Sequence, residues 1–194
     1  MKKIELVYRE ILFNAIEKNN KNLTQAYLAK ALNISLSTVN LALRSLVKMN
    51  SVKIKKMGFT VIDIRKILYY WASIRNIEKD IIYKTRVEQP VKEIEKQMPD
   101  NIVFTAYSAY KFNFKDVPAD YSEVYVYGLE DLKQRFKENA KNPNLFVLKK
   151  DNTIEKYGKI VTIANLFVDL WNLKQWYAND FLKALEVKIG RFLE

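Results

Sequence analysis

The stretch from Leu28 to Val52, LAKALNISLSTVNLALRSLVKMNSV, leaves the chain few ways to fold around it. Leu28, Ala29 and Leu32 recur at helical spacing, and Asn33 and Ile34 then break the period as a tight turn does. Ser35 is placed to cap a second helix, because its hydroxyl can accept from the otherwise unpaired amides of Ser37 or Thr38. Beyond it, Val39, Leu43, Leu46 and Val47 mark an inward side and leave Ser37, Asn40, Leu41, Arg44 and Lys48 outward. The small inward set must bury against a further element, as it would in any two-helix hairpin of a helical domain. The outward set offers donors, which is what base edges and phosphates require of a helix in a groove.

Charge narrows the partner. Residues 1–62 hold eleven lysines and arginines against three acids, Glu5, Glu10 and Glu17. From Lys18 to Ile62 there are eight basic residues and no Asp or Glu, where the chain-wide frequency would place about five acids. Such asymmetry points to anionic phosphate. An acidic membrane surface would call instead for an amphipathic helix with large exposed apolar residues, which this stretch lacks. The expected partner is double-stranded DNA. Ser35, Ser37, Thr38, Asn40 and Arg44 are expected in the major groove, Asn40 suiting adenine and Arg44 guanine, with Lys48, Lys53, Lys55 and Lys56 on phosphates. Thr24, at the start of the preceding helix, completes the DNA-binding set.

Other chemistries fall away. The chain has no Cys and no His, so thiolate nucleophiles, imidazole bases, disulfides and zinc fingers are excluded. No window approaches the run of about 20 apolar residues that a membrane span requires. Glu5, Arg9 and Glu10 interrupt any signal-peptide core in MKKIELVYREIL. A cytoplasmic protein with no cofactor is expected.

Residues 3–18, KIELVYREILFNAIEK, carry Ile4, Val7, Ile11, Leu12, Ala15 and Ile16 on one stripe and form a first, supporting helix. Thr24 can cap the next, QAYLAKALN. After the second and third helices, Val52 to Lys55 alternates apolar and basic, with Val52 and Ile54 inward. Phe59, Val61 and Ile62 follow Gly58, giving a hairpin closed near that glycine. Over residues 3–62 the chain resembles the winged-helix family of prokaryotic transcription regulators. Leu28-Ala29, Leu32, Ile34-Ser35, Thr38-Val39, Leu43, Leu46 and Ser51-Val52 carry the likeness. One departure is Asn50-Ser51, where many relatives have Gly before the strand; Asn tolerates the left-handed conformation.

Asp63 can cap a long helix, IRKILYYWASIRNIEKDII, which connects the two halves over residues 63–82 and could also serve as a dimer seam. From Tyr83 onward, short strands alternate with helices: YKTRVE, then PVKEIEKQM begun by Pro90, NIVFTA, YSEVYVYG, the helix EDLKQRFKENA, NLFVLKK, and a last strand over Lys159 to Ile163. Two tail helices close the chain. The fold class expected is α+β: an N-terminal winged helix-turn-helix over 1–62, the connecting helix, and a mixed α/β domain over 83–194. Tyr107, Tyr110, Phe112 and Phe114 read as core or as a base-stacking surface, and Trp171 and Trp176 as core packing.

Residues 84–194 resemble the nucleotidyltransferase-like domain that follows a winged helix in AbiEi-type antitoxins of type IV toxin-antitoxin systems. The likeness is carried by Thr105-Ala106, Tyr107-Ser108-Ala109, the strand Glu123 to Tyr127, Asp169-Leu170-Trp171, and Ala178 to Leu182. An active enzyme of that kind needs a Gly-Ser turn and paired aspartates on a strand to hold magnesium. Tyr107-Ser108 and Glu123-Val124-Tyr125 stand there instead, leaving one carboxylate, unless Asp116 or Asp120 supplies a ligand by an unusual route. The resemblance therefore implies a non-catalytic domain for dimerisation or for a toxin-like partner. The alternative is an active magnesium-dependent nucleotidyltransferase whose N-terminal module brings a nucleic acid; a purely protein-binding module is the third reading.

Overall fold

The computed structural model describes residues 1–129, 131–139 and 141–193, and the side chains of all of these but 191–193. The chain forms two compact units, Met1–Arg75 with Thr162–Val168 and Glu186–Glu194, and Asn76–Val161 with Asp169–Leu185. The fold is mixed α+β. Among the described residues no helix is long and apolar enough to cross a membrane.

In the first unit, helix α1 (Lys3–Ile16) buries Val7, Ile11, Leu12, Ala15 and Ile16, as its period requires. A two-residue strand, β1 (Asn22–Leu23), follows. Helix α2 (Gln25–Leu32) starts at Thr24, whose hydroxyl accepts from the Tyr27 amide at 3.0 Å, and stops at Asn33, where φ is 50°. Helix α3 (Leu36–Lys48) is capped by Ser35, which accepts from the Thr38 amide at 3.2 Å. Asn50 takes φ 55°, the left-handed conformation that Asn tolerates. Strands β2 (Val52–Lys55) and β3 (Gly58–Val61) form a hairpin, and β1 adds to its far side in the order β1-β3-β2. Lys55 faces Gly58 across the hairpin, so Lys56 and Met57 make the turn. Gly58 has φ 114°, and a Cβ there would meet the Leu23 carbonyl oxygen at 2.3 Å. Only glycine lets β1 come this close.

Helix α4 (Ile64–Ile74) starts at Asp63, which accepts from the Lys66 amide. It is shorter than the connecting helix expected over 63–82. Arg75 and Asn76 are extended, Asn76 caps a single 3₁₀ turn over Ile77–Asp80, and Ile81 opens strand β4 (Ile81–Thr85). The helical period of Ile74, Ile77 and Ile81 is thus shared between three pieces of backbone. The expected strand YKTRVE shifts two residues towards the N-terminus with it.

The second unit continues with α5 (Val91–Lys96), β5 (Val103–Thr105), α6 (Ala106–Phe114), β6 (Val124–Gly128), α7 (Leu132–Arg135) and β7 (Leu145–Lys149). Of the helix expected over residues 130–140 only Leu132–Arg135 is helical; Glu130 and Ala140 lie outside the described residues. The sheet order is β4-β7-β6-β5, with β6 and β7 parallel and the other pairs antiparallel. Every residue of β6 is buried, as suits a central strand covered on both faces. Val124 and Val126 join Ile94, Leu132, Leu145 and Val147 in one core. The last strand expected over Lys159 to Ile163 is a single parallel bridge between Phe104 and Ile160, and Ile163 already opens helix α8 (Ile163–Trp171). Helix α9 (Ala178–Leu193) closes the chain.

Candidate nucleic-acid interface

The α3 helix separates its residues sharply. Val39, Ala42, Leu43 and Leu46 are buried, while Ser37, Asn40, Leu41, Arg44 and Lys48 are exposed. Val47, expected inward, is 42% exposed, and Ala42 takes its place in the core. The small alanine lets α3 approach α1, where the Tyr8 hydroxyl donates to the Ala42 carbonyl at 3.4 Å.

The hydroxyls at the start of α3 form a local cluster. Ser35 Oγ lies 2.9 Å from both Ser37 Oγ and Thr38 Oγ1. Ser35 and Thr38 are engaged in starting the helix, and Thr24 caps α2 in the same way. These three position the helices; Ser37, exposed at the first turn, is the hydroxyl on the outward face. Among the described residues Asn40, Arg44, Lys48, Lys53 and Lys56 have no side-chain partner. Lys55 donates to Asn22 Oδ1 at 3.2 Å.

The wing differs from its expected pattern at Ile54 and Ile62. Val52, Phe59 and Val61 are buried, whereas Ile54 and Ile62 are 50% and 48% exposed. Ile54 lies on the edge strand β2, whereas Phe59, its partner across the hairpin on the central strand β3, is buried. The tip presents Lys55, Lys56 and Met57, all exposed.

Two of the three acids that precede the acid-free stretch are removed from the surface. Glu5 and Glu10 are each 2% exposed. Glu5 Oε2 lies 3.7 Å from Arg75 Nη1 and accepts from the Trp71 indole at 3.1 Å; Glu10 Oε1 accepts from the Tyr27 hydroxyl at 2.9 Å. The exposed charge of the helix-turn-helix and wing is therefore more one-sided than the composition states.

In the second unit, Glu123 lies just before β6 and is 6% exposed. Its Oε1 accepts from Gln175 Nε2 at 2.7 Å and its Oε2 from the Tyr125 hydroxyl at 3.2 Å. Burial pushes its carboxyl above the usual value, and these bonds offset part of the rise. Thr105 ends β5, and α6 opens at Ala106 with φ 51°, a conformation more natural to glycine. Tyr107 and Tyr110 are fully buried, as is Ser108 between them, and belong to the core, while Phe112 and Phe114 are half-buried. Trp171 and Trp176 are not core: they are 44% and 73% exposed. Asp169 is buried and accepts from Thr105 at 2.7 Å and from Tyr127 at 2.8 Å.

Three of the contributing residues carry no local sequence signal of their role. Asn22 holds Lys55, Ala42 packs where Val47 was expected, and Met57 stands at the wing tip. Leu23, a lone apolar residue between polar ones and buried here, was the trace of β1.

Residues 9–53 match the family model of winged helix-turn-helix DNA-binding domains. The match includes Thr24, Ser35, Ser37, Thr38, Asn40, Arg44, Lys48 and Lys53, and stops before Lys55 and Lys56. No curated protein and no solved structure matches the chain.

Proposed function

We propose that this chain is a sequence-specific transcription regulator that docks α3 in the major groove of duplex DNA and lays its wing on the adjacent phosphates. The observation that carries the reading is the exposed stripe of Asn40, Arg44 and Lys48 in a stretch without any acid to pair with them. In this reading Asn40 and Arg44 address adenine and guanine, and Lys48, Lys53, Lys55 and Lys56 neutralise phosphate. Selection of duplexes from a random-sequence library, followed by titration at rising salt, tests it. Enrichment of a common sequence and a linear fall of log affinity with log salt are expected.

The second unit is read as a non-catalytic platform for a second copy or for a toxin-like protein, as an antitoxin-like autorepressor would need. The run from β5 through the Ala106 turn into α6 and back along β6 supports the nucleotidyltransferase-like likeness. The engagement of Glu123 by Gln175 and Tyr125 supports an inactive version, since a buried carboxylate that resists ionising is a poor ligand for magnesium. Incubation with labelled nucleotides and Mg²⁺ tests this; transfer of label by the native chain that Glu123→Ala abolishes would establish the enzyme instead.

A further inference from the structure

Successive residues of a helix turn by about 100°, so Ser37, Leu41, Arg44 and Lys48 stack into one outward stripe of α3. Leu41 is 55% exposed within it. Leu36 and Val47 are exposed too, at 50% and 42%, but helical spacing sets both beside the buried ridge of Val39 and Leu43. Leu41 lies roughly opposite that ridge. Its neighbours one turn away are Ser37, Thr38, Arg44 and Ser45, all polar, so nothing apolar on α3 shelters it. A single exposed leucine is ordinary on a solvated surface. This one is on the face that addresses base edges.

In the major groove each base pair offers hydrogen-bonding groups, and only thymine adds an apolar one, its 5-methyl. We infer that Leu41 reads a thymine 5-methyl group, so that the preferred duplex carries a thymine next to the base pairs contacted by Asn40 and Arg44. The inference rests on the DNA-reading function proposed above and adds a specificity-determining residue to it. Leu41 is the complement of Arg44 on this stripe: one selects by donors, the other by excluding water from a methyl group.

The test uses the full chain and the duplex obtained by selection. Replacing its thymines one at a time by deoxyuridine keeps base pairing and removes only the 5-methyl. One replacement is expected to weaken native binding about three- to fivefold, the worth of one buried methyl-sized group. Leu41→Ala, at an exposed position, is expected to fold normally, to lose that same factor on the thymine duplex and to be indifferent to the replacement. If every replacement leaves native binding unchanged, or if the loss persists undiminished in Leu41→Ala, the role given to Leu41 is overturned while DNA reading stands. A library from which no duplex is enriched overturns both.

Discussion

The Lys55 ammonium donates to Asn22 Oδ1 at 3.2 Å, and the same oxygen receives the Thr60 hydroxyl at 2.6 Å. One wing lysine is thus tied to the strand that precedes the helix-turn-helix, while Lys53 and Lys56 are not. Lys55→Ala and Lys56→Ala are each expected to weaken binding to every duplex alike and to lower the slope of log affinity against log salt by about one. Asn22→Ala keeps the cation and only loosens its seat, so it should leave the slope unchanged and lower affinity less. A slope that fell equally in all three variants would mean that Lys55 reaches its phosphate only when Asn22 seats it.

Arg44 makes a different prediction. It is exposed and without a side-chain partner among the described residues, in the same outward stripe as Ser37 and Lys48. Arg44→Ala should cost about 1–3 kcal/mol on the selected duplex and relax selection at one position. Arg44→Lys keeps the charge without the planar fork and should recover binding to random duplex but little of the preference. Equal losses on selected and random duplex, measured by titration at one salt concentration, would refute base reading by Arg44.

Much of the first unit was legible in the sequence because its signals are local. Caps at Thr24, Ser35 and Asp63, the left-handed Asn33 and Asn50, and the apolar stripes of α1 and α3 each lie within a few residues of their effect. What was not legible depends on partners far away in the chain. Leu23 becomes a strand only because β3 lies beside it, and Ile54 is exposed on the edge strand β2 although its partner Phe59 on the central strand is buried. The helical period from Ile64 to Ile81 ran on past Ile74, yet Ile81 and Tyr83 pair with Leu148 and Val147 in a sheet that a local pattern cannot announce. At the candidate site the outward residues of α3 were legible; in the second unit the exposure of Trp171 and Trp176 was not, since Trp176 lies in the turn before α9 and apolar character alone does not say which side chains are covered.

Glu5 tests the buried support beneath the interface. Its carboxylate receives the Trp71 indole and faces Arg75, with both side chains of the ion pair nearly inaccessible at 2% and 1%. Removing Glu5 takes from the buried Arg75 a carboxylate that faces it, so Glu5→Ala should destabilise the fold by about 3–5 kcal/mol. Urea unfolding followed by tryptophan fluorescence measures this. Combining Glu5→Ala with Arg75→Ala should cost less than the sum of the two single changes, because each single change already removes the interaction the two share. Simple additivity would show that the two side chains do not depend on one another.

Glu123 makes stability depend on pH in a direction that can be worked out. Burial pushes its carboxyl above the usual 4.5, with Gln175 and Tyr125 offsetting part of the rise. The folded protein therefore holds this proton more tightly than the unfolded chain. The stability contributed by the protonated acid is fully present below 4.5 and is lost as pH rises through the raised folded value. Glu123→Gln has no proton to lose. Across that window the native protein should lose unfolding free energy relative to the variant, and above it the difference between them should stay constant. Millimolar Mg²⁺ should leave this difference unchanged if the second unit is not catalytic. A cation bound at Glu123 would favour the charged form, bring the carboxyl down towards its usual range and flatten the native curve, and that outcome would return the second unit to the enzymes.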